Sequence, residues 1–464
     1  MSEGSPAHPY VPNSVPRVKR EMLDEIGADN VEELYGAIPD RLRFAGRLDL
    51  PDPLRSEYAL RRHVERVLDR NETCARTLSF LGAGCWQHYV PAVCDEIANR
   101  GEFLTAYYGE TYTDHGKLQA LFEFASMMGE LVELDAVSMP TYDWGSAAAT
   151  AISMALRVTG RSTALVASSM GAERLSIVTG YCRPSGEVVE LPFDPRSGLF
   201  DLDRLRDELS EDVGCVYLET PGYLGTIETQ AAEVAAAAHD AGALCVVGVD
   251  PVSLGVLEAP SRYGADLVCG ELQPLGIHMH YGGGLAGFVA APDEERYVAE
   301  FPTFLIGLGP TVVEGEYAFG EVRWDRTSYV QRGESKEYTG TTQFLWAIAA
   351  GSYLALIGPH GLAELGRGIM ERARYAARRL GELPGVRAPA LGAPFFKEFV
   401  VDFEGTGRTV AGVNSALRER GIFGGKELSA EFPMLGQSAL YCVTEVHTKA
   451  DIDRLVDELA EVLR

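Results

Sequence analysis

The segment Tyr263-Gly-Ala-Asp-Leu-Val-Cys-Gly-Glu-Leu-Gln-Pro-Leu-Gly-Ile-His-Met-His-Tyr-Gly-Gly-Gly284 decides the fold class that we expect for this chain. It begins with a short apolar strand from Asp266 to Cys269, continues through polar residues and ends in a run of glycines. It also lies in a long stretch without lysine, because the chain has none between Lys117 and Lys336. A buried strand followed by polar residues and glycines is the layout of a cofactor-binding enzyme.

The polar residue that follows this strand stands where some cofactor enzymes carry a lysine. Enzymes that hold pyridoxal phosphate (PLP) as a Schiff base take their anchoring amine from this kind of position. The residue here is Gln273, and an amide cannot form an imine. We therefore expect that no amine reaches the place where a coenzyme aldehyde would be captured, from any of Lys19, Lys117, Lys336, Lys397, Lys426 and Lys449.

The regions around this segment alternate between helical and strand-like patterns. The helical pattern from Lys117 to Leu131 has apolar residues at i, i+3, i+4 and i+7. Short, continuously apolar runs then recur between helices, at 162–168, 213–218 and 244–249. Such runs are typical of buried parallel strands, so we expect an α/β fold with a parallel sheet.

Changes in pattern predict three parts of the chain. Residues 1–68 form an N-terminal arm with short helices, which wraps over another domain or a partner chain. Residues 69–315 form the large α/β domain. Residues 316–464 form a smaller α+β domain with a helix from Gln343 to Ile357, a further helix to Leu380 and a C-terminal amphipathic helix. Thr448 and Asp451 resemble a capping box for that last helix.

Composition excludes several classes of protein. The formal net charge of -26 argues against nucleic acid and against an anionic membrane surface as partners. The eight cysteines show no C-x-x-C spacing, which favours reduced thiols in a cytoplasmic protein. No signal peptide or membrane span is indicated.

One candidate phosphate-binding site lies where Tyr142-Asp-Trp-Gly-Ser-Ala-Ala-Ala-Thr150 enters a helix. Gly145, Ser146 and Ala147 would offer backbone N–H groups and a hydroxyl at the helix N-terminus. The alternative is a helix capped by serine with no ligand.

A second group of candidate cofactor residues lies around Gln273. Asp250 ends the strand at 244–249, and a carboxylate there can hold a pyridine nitrogen protonated. The alternative for Asp250 is a turn or a helix cap. Gly282 and Gly283 form either a phosphate loop or a simple turn, since a glycine triplet is a weak signal.

Three further residues are candidates for lining a substrate cleft, namely His88, Tyr107 and Tyr142. The alternative for His88 is a packed surface histidine beside aromatic residues. His278 and His280 alternate on a strand-like stretch, but no third ligand accompanies them, so we predict no metal site.

Several segments spread over almost the whole chain together resemble one known family. They are Met22-Leu-Asp-Glu-Ile-Gly, Ser79-Phe-Leu-Gly-Ala-Gly, Gly116-Lys-Leu-Gln-Ala-Leu-Phe-Glu, Gln273-Pro-Leu-Gly, Tyr353-Leu-Ala-Leu-Ile-Gly-Pro-His-Gly-Leu, Gly421-Ile-Phe-Gly-Gly and Cys442-Val-Thr-Glu. The chain is similar to the α subunit (subunit 1) of two-chain glycine decarboxylase, the P-protein of the glycine cleavage system. The Gln-Pro-Leu-Gly string at the lysine position is the most specific of these matches.

This resemblance implies a fold-type-I PLP-transferase architecture, as in aspartate aminotransferase, and an α₂β₂ assembly. It implies decarboxylation of glycine and transfer of the aminomethyl group to the lipoylated H-protein. It also implies that the β subunit carries PLP and that this chain binds no cofactor covalently.

Some cleft-lining segments differ from the family pattern. The family's Met-Tyr-Asp-Gly-Ala-Thr appears here as Thr141-Tyr-Asp-Trp-Gly-Ser, and the run that begins at Thr105 lacks the usual prolines. Two alternatives therefore accompany the main interpretation. The chain is a diverged subunit of a related PLP system for another small amino acid, or an inactive scaffold or regulatory subunit.

Overall fold

The structure is a computed structural model. It describes residues 15–44, 46, 48–104, 115–303, 305–322, 326–328, 333, 335, 337, 339, 340 and 342–464. Within it the chain divides into two compact units, Met1–Asn71 and Glu72–Arg464. The predicted limits of the arm (1–68) and the later division at 315 stay predictions.

Helices and strands alternate through the second unit. In the described residues the helices are α1 (Pro16–Glu25), α2 (Glu57–Leu68), α3 (Ala92–Ala98), α4 (His115–Val132), α5 (Trp144–Thr159), α6 (Ala172–Cys182), α7 (Leu202–Glu208), α8 (Ala231–Asp240), α9 (Glu295–Val298), α10 (Phe344–Gly381), α11 (Val410–Arg418) and α12 (Lys449–Val462). The strands are β1 (Leu78–Ser79), β2 (Ala136–Val137), β3 (Thr163–Ala167), β4 (Glu187–Leu191), β5 (Val213–Glu219), β6 (Leu244–Val249), β7 (Leu267–Glu271), β8 (Gly287–Ala291), β9 (Ile306–Pro310), β10 (Tyr317–Glu321), β11 (Glu398–Asp402), β12 (Ile422–Phe423), β13 (Lys426–Glu427) and β14 (Ser438–Cys442).

The central sheet has the strand order β2-β8-β7-β6-β5-β3-β4. Strands β3 to β7 are parallel where they pair, as predicted. One edge of the sheet is antiparallel, because β8 runs antiparallel to both β7 and β2. The described segment between β7 and β8 contains the short 3-10 turn His280–Gly282 and no helix of the kind that usually carries a parallel crossover.

Both faces of this sheet are buried, which explains why its strands are continuously apolar. In β6, Cys245 and Val247 belong to one apolar cluster, while Leu244 and Val246 belong to the cluster on the opposite face. The second cluster includes α5, whose many alanines are almost completely buried and allow it to pack closely on β7 and β8.

The C-terminal part is built on the antiparallel sheet β11-β14-β13. The helices predicted on either side of Gly358 form the single element α10, which is kinked because Gly358 has φ 61° and ψ 178°. By length and composition α10 is apolar enough to cross a membrane, but it packs on α3 and α4 as a core helix. The capping box of Thr448 and Asp451 is confirmed at the start of α12.

The N-terminal unit contains α1 and α2 and buries little apolar surface. Large apolar side chains are exposed along it, among them Leu42, Phe44, Leu50, Tyr58 and Leu68. An arm of this composition is consistent with a covering partner, and the predicted wrapping of this arm over a domain or a partner stays a prediction.

Candidate functional site

The candidate site lies where β6 and β7 end at the carboxyl edge of the parallel strands. Asp250 follows β6 directly, and Gln273 lies just after β7. Side chains from the start of α5, from α6 and from the segment before β11 lie over the same edge. The cavity that remains measures about 10 Å³, and its lining includes Gly84, Trp86, Trp144, Arg174, Asp250 and Lys397.

Gln273 is buried, and both ends of its amide are bonded to backbone. Its Oε1 accepts a hydrogen bond from the Trp86 N–H at 3.0 Å. Its Nε2 donates to the carbonyls of Trp86 and Ile277, each at 3.0 Å. The amide therefore ties the segment around Trp86 to the turn that follows β7, and both of its N–H hydrogens are used in doing so.

The N-terminus of α5, predicted as a phosphate site, already has acceptors for several N–H groups. The Asp143 carboxylate accepts from the Ser146 N–H at 2.6 Å, and the Asp143 carbonyl accepts from the Ala147 N–H at 3.0 Å. The Ser146 hydroxyl completes a capping box with Asp143. The helix is therefore capped by Asp143 and not by serine as in the predicted alternative, and the phosphate role of Gly145, Ser146 and Ala147 stays a prediction.

Glu271, the last residue of β7, places a second carboxylate at this helix start. It accepts hydrogen bonds from the N–H groups of Trp144, Gln273 and Ala286, at 3.0, 3.1 and 2.8 Å. Burial raises the pKa of Glu271 to about 8, although these three donors act to lower it. The side chain therefore binds its proton more tightly in the folded chain than in the unfolded chain.

This raised pKa predicts that the fold loses stability as the pH rises. Below its unfolded pKa of 4.5, Glu271 is protonated in both states, and its full contribution to stability is present. Between 4.5 and about 8 the unfolded state releases the proton first, so the contribution is lost progressively. We expect the midpoint temperature of thermal unfolding to be lower at about pH 8.5 than at about pH 6.5.

Glu271→Gln is the matched variant for this test, because it cannot titrate. The fall in midpoint over that pH range should be clearly smaller in Glu271→Gln than in the parent chain. Equal falls in the two proteins would contradict the assignment of the raised pKa to this carboxyl group.

The expectation that none of the six lysines reaches this site is wrong. Lys397 enters the site from the segment before β11. Its side chain is only 3% exposed, and its Nζ lies 2.7 Å from Asp250 Oδ2. The ammonium also lies 3.6 Å from the centre of the Trp86 ring. It pairs with Asp250, the carboxylate predicted for a pyridine nitrogen, whereas Gln273, at the position predicted for an anchoring amine, is bonded to backbone.

His88 connects this ion pair to a further carboxylate. Its Nε2 lies 3.0 Å from the Lys397 ammonium, and its Nδ1 lies 2.8 Å from Glu445 Oε2. Glu445 also accepts from the Tyr89 N–H at 2.7 Å. Burial acts to raise the pKa of Glu445, but the His88 ring and these hydrogen bonds lower it to about 2. His88 is packed but buried, so the alternative of a surface histidine is wrong about its exposure, and its substrate role stays a prediction.

A second buried ion pair lines the other wall of the site. Arg174 Nη1 lies 2.5 Å from Glu219 Oε1, with both side chains largely buried. The guanidinium lies 3.9 Å from the centre of the Trp144 ring. Tyr217 donates its hydroxyl hydrogen to Glu219 at 3.0 Å and accepts one from Trp144 Nε1 at 3.0 Å. These groups form one connected polar cluster between β5, α5 and α6.

The other predicted residues lie away from these contacts or outside the description. Tyr107 lies outside the described residues. Tyr142 is 43% exposed at the start of α5 and stays a cleft candidate. Gly282 and Gly283 lie in a turn near the exposed Tyr281, and their phosphate role also stays a prediction.

The strand-like reading of the stretch that contains His278 and His280 is wrong. His280 and Tyr281 have φ of 43° and 56°, so the backbone turns there in the left-handed region. His278 pairs with Asp95, and His280 stacks on Trp346. In the part of the chain that the structure describes, no group of three metal-ligating side chains occurs.

These observations test whether PLP fits the cleft of this chain. Asp250, the carboxylate for a pyridine nitrogen, already pairs with Lys397. Gln273 offers no amine, and Asp143 accepts the N–H groups of Ser146 and Ala147, two of the three residues predicted for the phosphate. A cavity of about 10 Å³ holds about one water molecule, which is far less than an aromatic ring needs. The residues present do not fit the cofactor.

Comparison with known proteins identifies the family. A model of the glycine cleavage system P-protein family matches residues 9–459. The chain belongs to the glycine cleavage system P-protein family. A relative from Staphylothermus marinus named "Probable glycine dehydrogenase (decarboxylating) subunit 1" is 37% identical over 466 residues, which cover 98% of each protein.

Solved structures agree with this family and with the fold. A crystal structure of glycine decarboxylase (P-protein) in inhibitor-bound form has a TM-score of 0.85 and 34% identity, and the match covers 100% of both chains. A sphingosine-1-phosphate lyase of Burkholderia pseudomallei shares the fold alone, with a TM-score of 0.64 and 16% identity over 92% of this chain and 94% of that chain. The predicted fold-type-I PLP-transferase architecture is confirmed for this P-protein family member.

Several residues of this site escaped the sequence reasoning, namely Lys397, Arg174, Glu219, Glu271 and Glu445. Lys397 carried one usable signal, because a lysine between Phe395-Phe396 and Glu398-Phe399 interrupts an apolar run. A charged residue inside a buried strand pattern needs a partner, although the pattern does not say which. Arg174 and Glu219 carried no comparable signal.

Proposed function

We propose that this chain is the subunit of glycine decarboxylase that does not anchor PLP, acting in the glycine cleavage system with a second subunit. In this role it supports decarboxylation of glycine and transfer of the aminomethyl group to the lipoylated H-protein. The relatives named subunit 1 support this proposal, since they match the chain over nearly its full length. The observation that carries it is Gln273, a backbone-bonded amide at the position of the anchoring lysine.

The partner is proposed to hold the cofactor that this P-protein family uses. Bound PLP supplies an electron sink for the carbanion that forms when carbon dioxide leaves. Lys397 pairs with Asp250 and leaves a cavity of only about 10 Å³. Both observations support a structural role for this cleft, without a bound cofactor. The residues of this chain then act by holding the fold that the second subunit contacts.

The assembly and the compartment are also proposals. Helix α2 of the N-terminal arm exposes apolar side chains, such as Leu60, Val64 and Val67. In an α₂β₂ assembly, a neighbouring chain would cover them. The cysteines are all unpaired, and six of them are buried, which supports a reducing compartment such as the cytoplasm. Because the net charge is -26, we propose neither nucleic acid nor an anionic membrane as a partner.

Reconstitution tests the proposed activity. Each purified subunit alone, supplied with PLP, lipoylated H-protein and carboxyl-labelled glycine, should release no labelled carbon dioxide. The mixture of the two subunits should release it. Release from another small amino acid and none from glycine would favour the diverged subunit instead. Full activity of the second subunit without this chain would favour the scaffold alternative.

A further inference from the structure

The cleft of this chain contains its own cation. Lys397 Nζ lies 2.7 Å from Asp250 Oδ2, and both side chains are 3% exposed. The contact is an ion pair, because no donor in the described residues is aligned as a hydrogen bond to Asp250 Oδ2. The other oxygen of Asp250 accepts from the Val252 N–H at 3.1 Å. The charge of Lys397 is therefore what neutralises the buried carboxylate.

Two further side chains, Trp86 and His88, contact the Lys397 ammonium in ways that favour a cation. The Trp86 ring presents its face at 3.6 Å, which is the favourable geometry for a cation over an indole. His88 Nε2, at 3.0 Å, accepts from the ammonium when the ring proton is on Nδ1. Nδ1 then donates to Glu445 at 2.8 Å, so one arrangement of protons satisfies every contact.

We propose that Lys397 is the permanent occupant of this cleft and stands in place of a bound organic cation. Asp250, Trp86 and His88 together form a binding site for a primary ammonium group, and the chain fills that site with its own side chain. Ligands that need Asp250, PLP among them, are thereby excluded from this subunit. This inference goes beyond the proposed function, and its test measures binding and unfolding and not glycine turnover.

The same contacts make Lys397 a positioning residue for the fold. Asp250 lies at the end of β6 in the large sheet, while Lys397 leads into β11 of the C-terminal sheet. His88 belongs to the segment that Gln273 ties down through Trp86. One ammonium therefore joins three separate parts of the second unit. A lysine that only filled space would not need an ammonium at its end.

Chemical rescue with propylammonium tests the proposal. Lys397→Ala keeps Cβ and removes three carbons and the ammonium, which are the atoms of propylammonium. The variant should unfold at a temperature several degrees below the parent. Propylammonium chloride should restore the midpoint with a saturating dependence, whereas sodium chloride at equal concentration should not. The parent, whose site is filled, should show no such saturating increase.

The matched control is Lys449→Ala, which removes a lysine paired with Asp453 on the surface. Propylammonium should give it no specific increase. The proposal is overturned if the parent responds as strongly as Lys397→Ala, or if folded Lys397→Ala does not respond. It is also overturned if PLP quenches the tryptophan fluorescence of the parent with a saturating dependence, because Trp86 and Trp144 line the cleft.

A second pair of variants covers the case in which Lys397→Ala does not fold. Lys397→Met keeps the bulk and leaves Asp250 as an unpaired buried charge, while the double variant Asp250→Asn with Lys397→Met removes that charge. The double variant should unfold at a higher temperature than Lys397→Met. A double variant that is no more stable than Lys397→Met overturns the proposal.

Discussion

Arg174→Ala is expected to destabilise the chain by about 3–5 kcal/mol, because it leaves a buried carboxylate without its counter-charge. The side chain of Arg174 is 10% exposed, and its Nη1 lies 2.5 Å from Glu219 Oε1. The variant also loses the contact of the guanidinium with the Trp144 ring, which is worth about 1–2 kcal/mol when desolvated. Urea unfolding of the purified chain, followed by circular dichroism, measures the change.

The control for Arg174→Ala removes both charges at once. In Arg174→Met with Glu219→Gln, the amide can still accept from the Tyr217 hydroxyl, and no buried charge is left unpaired. This double variant should be more stable than Arg174→Ala. A loss of under about 1 kcal/mol in Arg174→Ala would mean that the ion pair contributes no more than a surface pair.

Gln273→Leu should destabilise the chain by about 3–5 kcal/mol, since each buried polar group left unpaired costs about 1–3 kcal/mol. The leucine has nearly the same size, but it leaves the Trp86 N–H and the carbonyls of Trp86 and Ile277 without their side-chain partner. The change therefore removes polar contacts and little packing. Urea unfolding again gives the loss directly.

Gln119→Leu is the matched control for this substitution. Gln119 lies on the exposed face of α4, and its amide bonds Glu123 one turn later. Its replacement should change the free energy of unfolding by under about 0.5 kcal/mol. Equal losses in the two variants would show that the amide of Gln273 is not what holds the Trp86 segment.

Local sequence patterns predicted most of the fold. The continuous apolar runs predicted strands at 213–218 and 244–249, and the structure has β5 at Val213–Glu219 and β6 at Leu244–Val249. The capping box at Thr448 was predicted because it involves residues three apart. The direction of β8 was not predictable in this way, because antiparallel pairing depends on how the chain returns after the Gly282–Gly284 turn.

The site was only half predictable, for a similar reason. Asp250 and Gln273 were found because each follows a strand in a recognisable pattern. Lys397 lies far from Asp250 in sequence, and only the packing of the C-terminal sheet brings the two together. The stretch without lysine around Gln273 did not predict that the distant Lys397 lies in the cleft.

The location of the coenzyme amine tests the central claim most directly. The two subunits should be mixed with PLP, reduced with borohydride and digested, and the pyridoxyl-lysine peptide should then be identified by mass spectrometry. The account predicts a single labelled lysine in the second subunit and none in this chain. A pyridoxyl group on Lys397, or on another lysine of this chain, would contradict it.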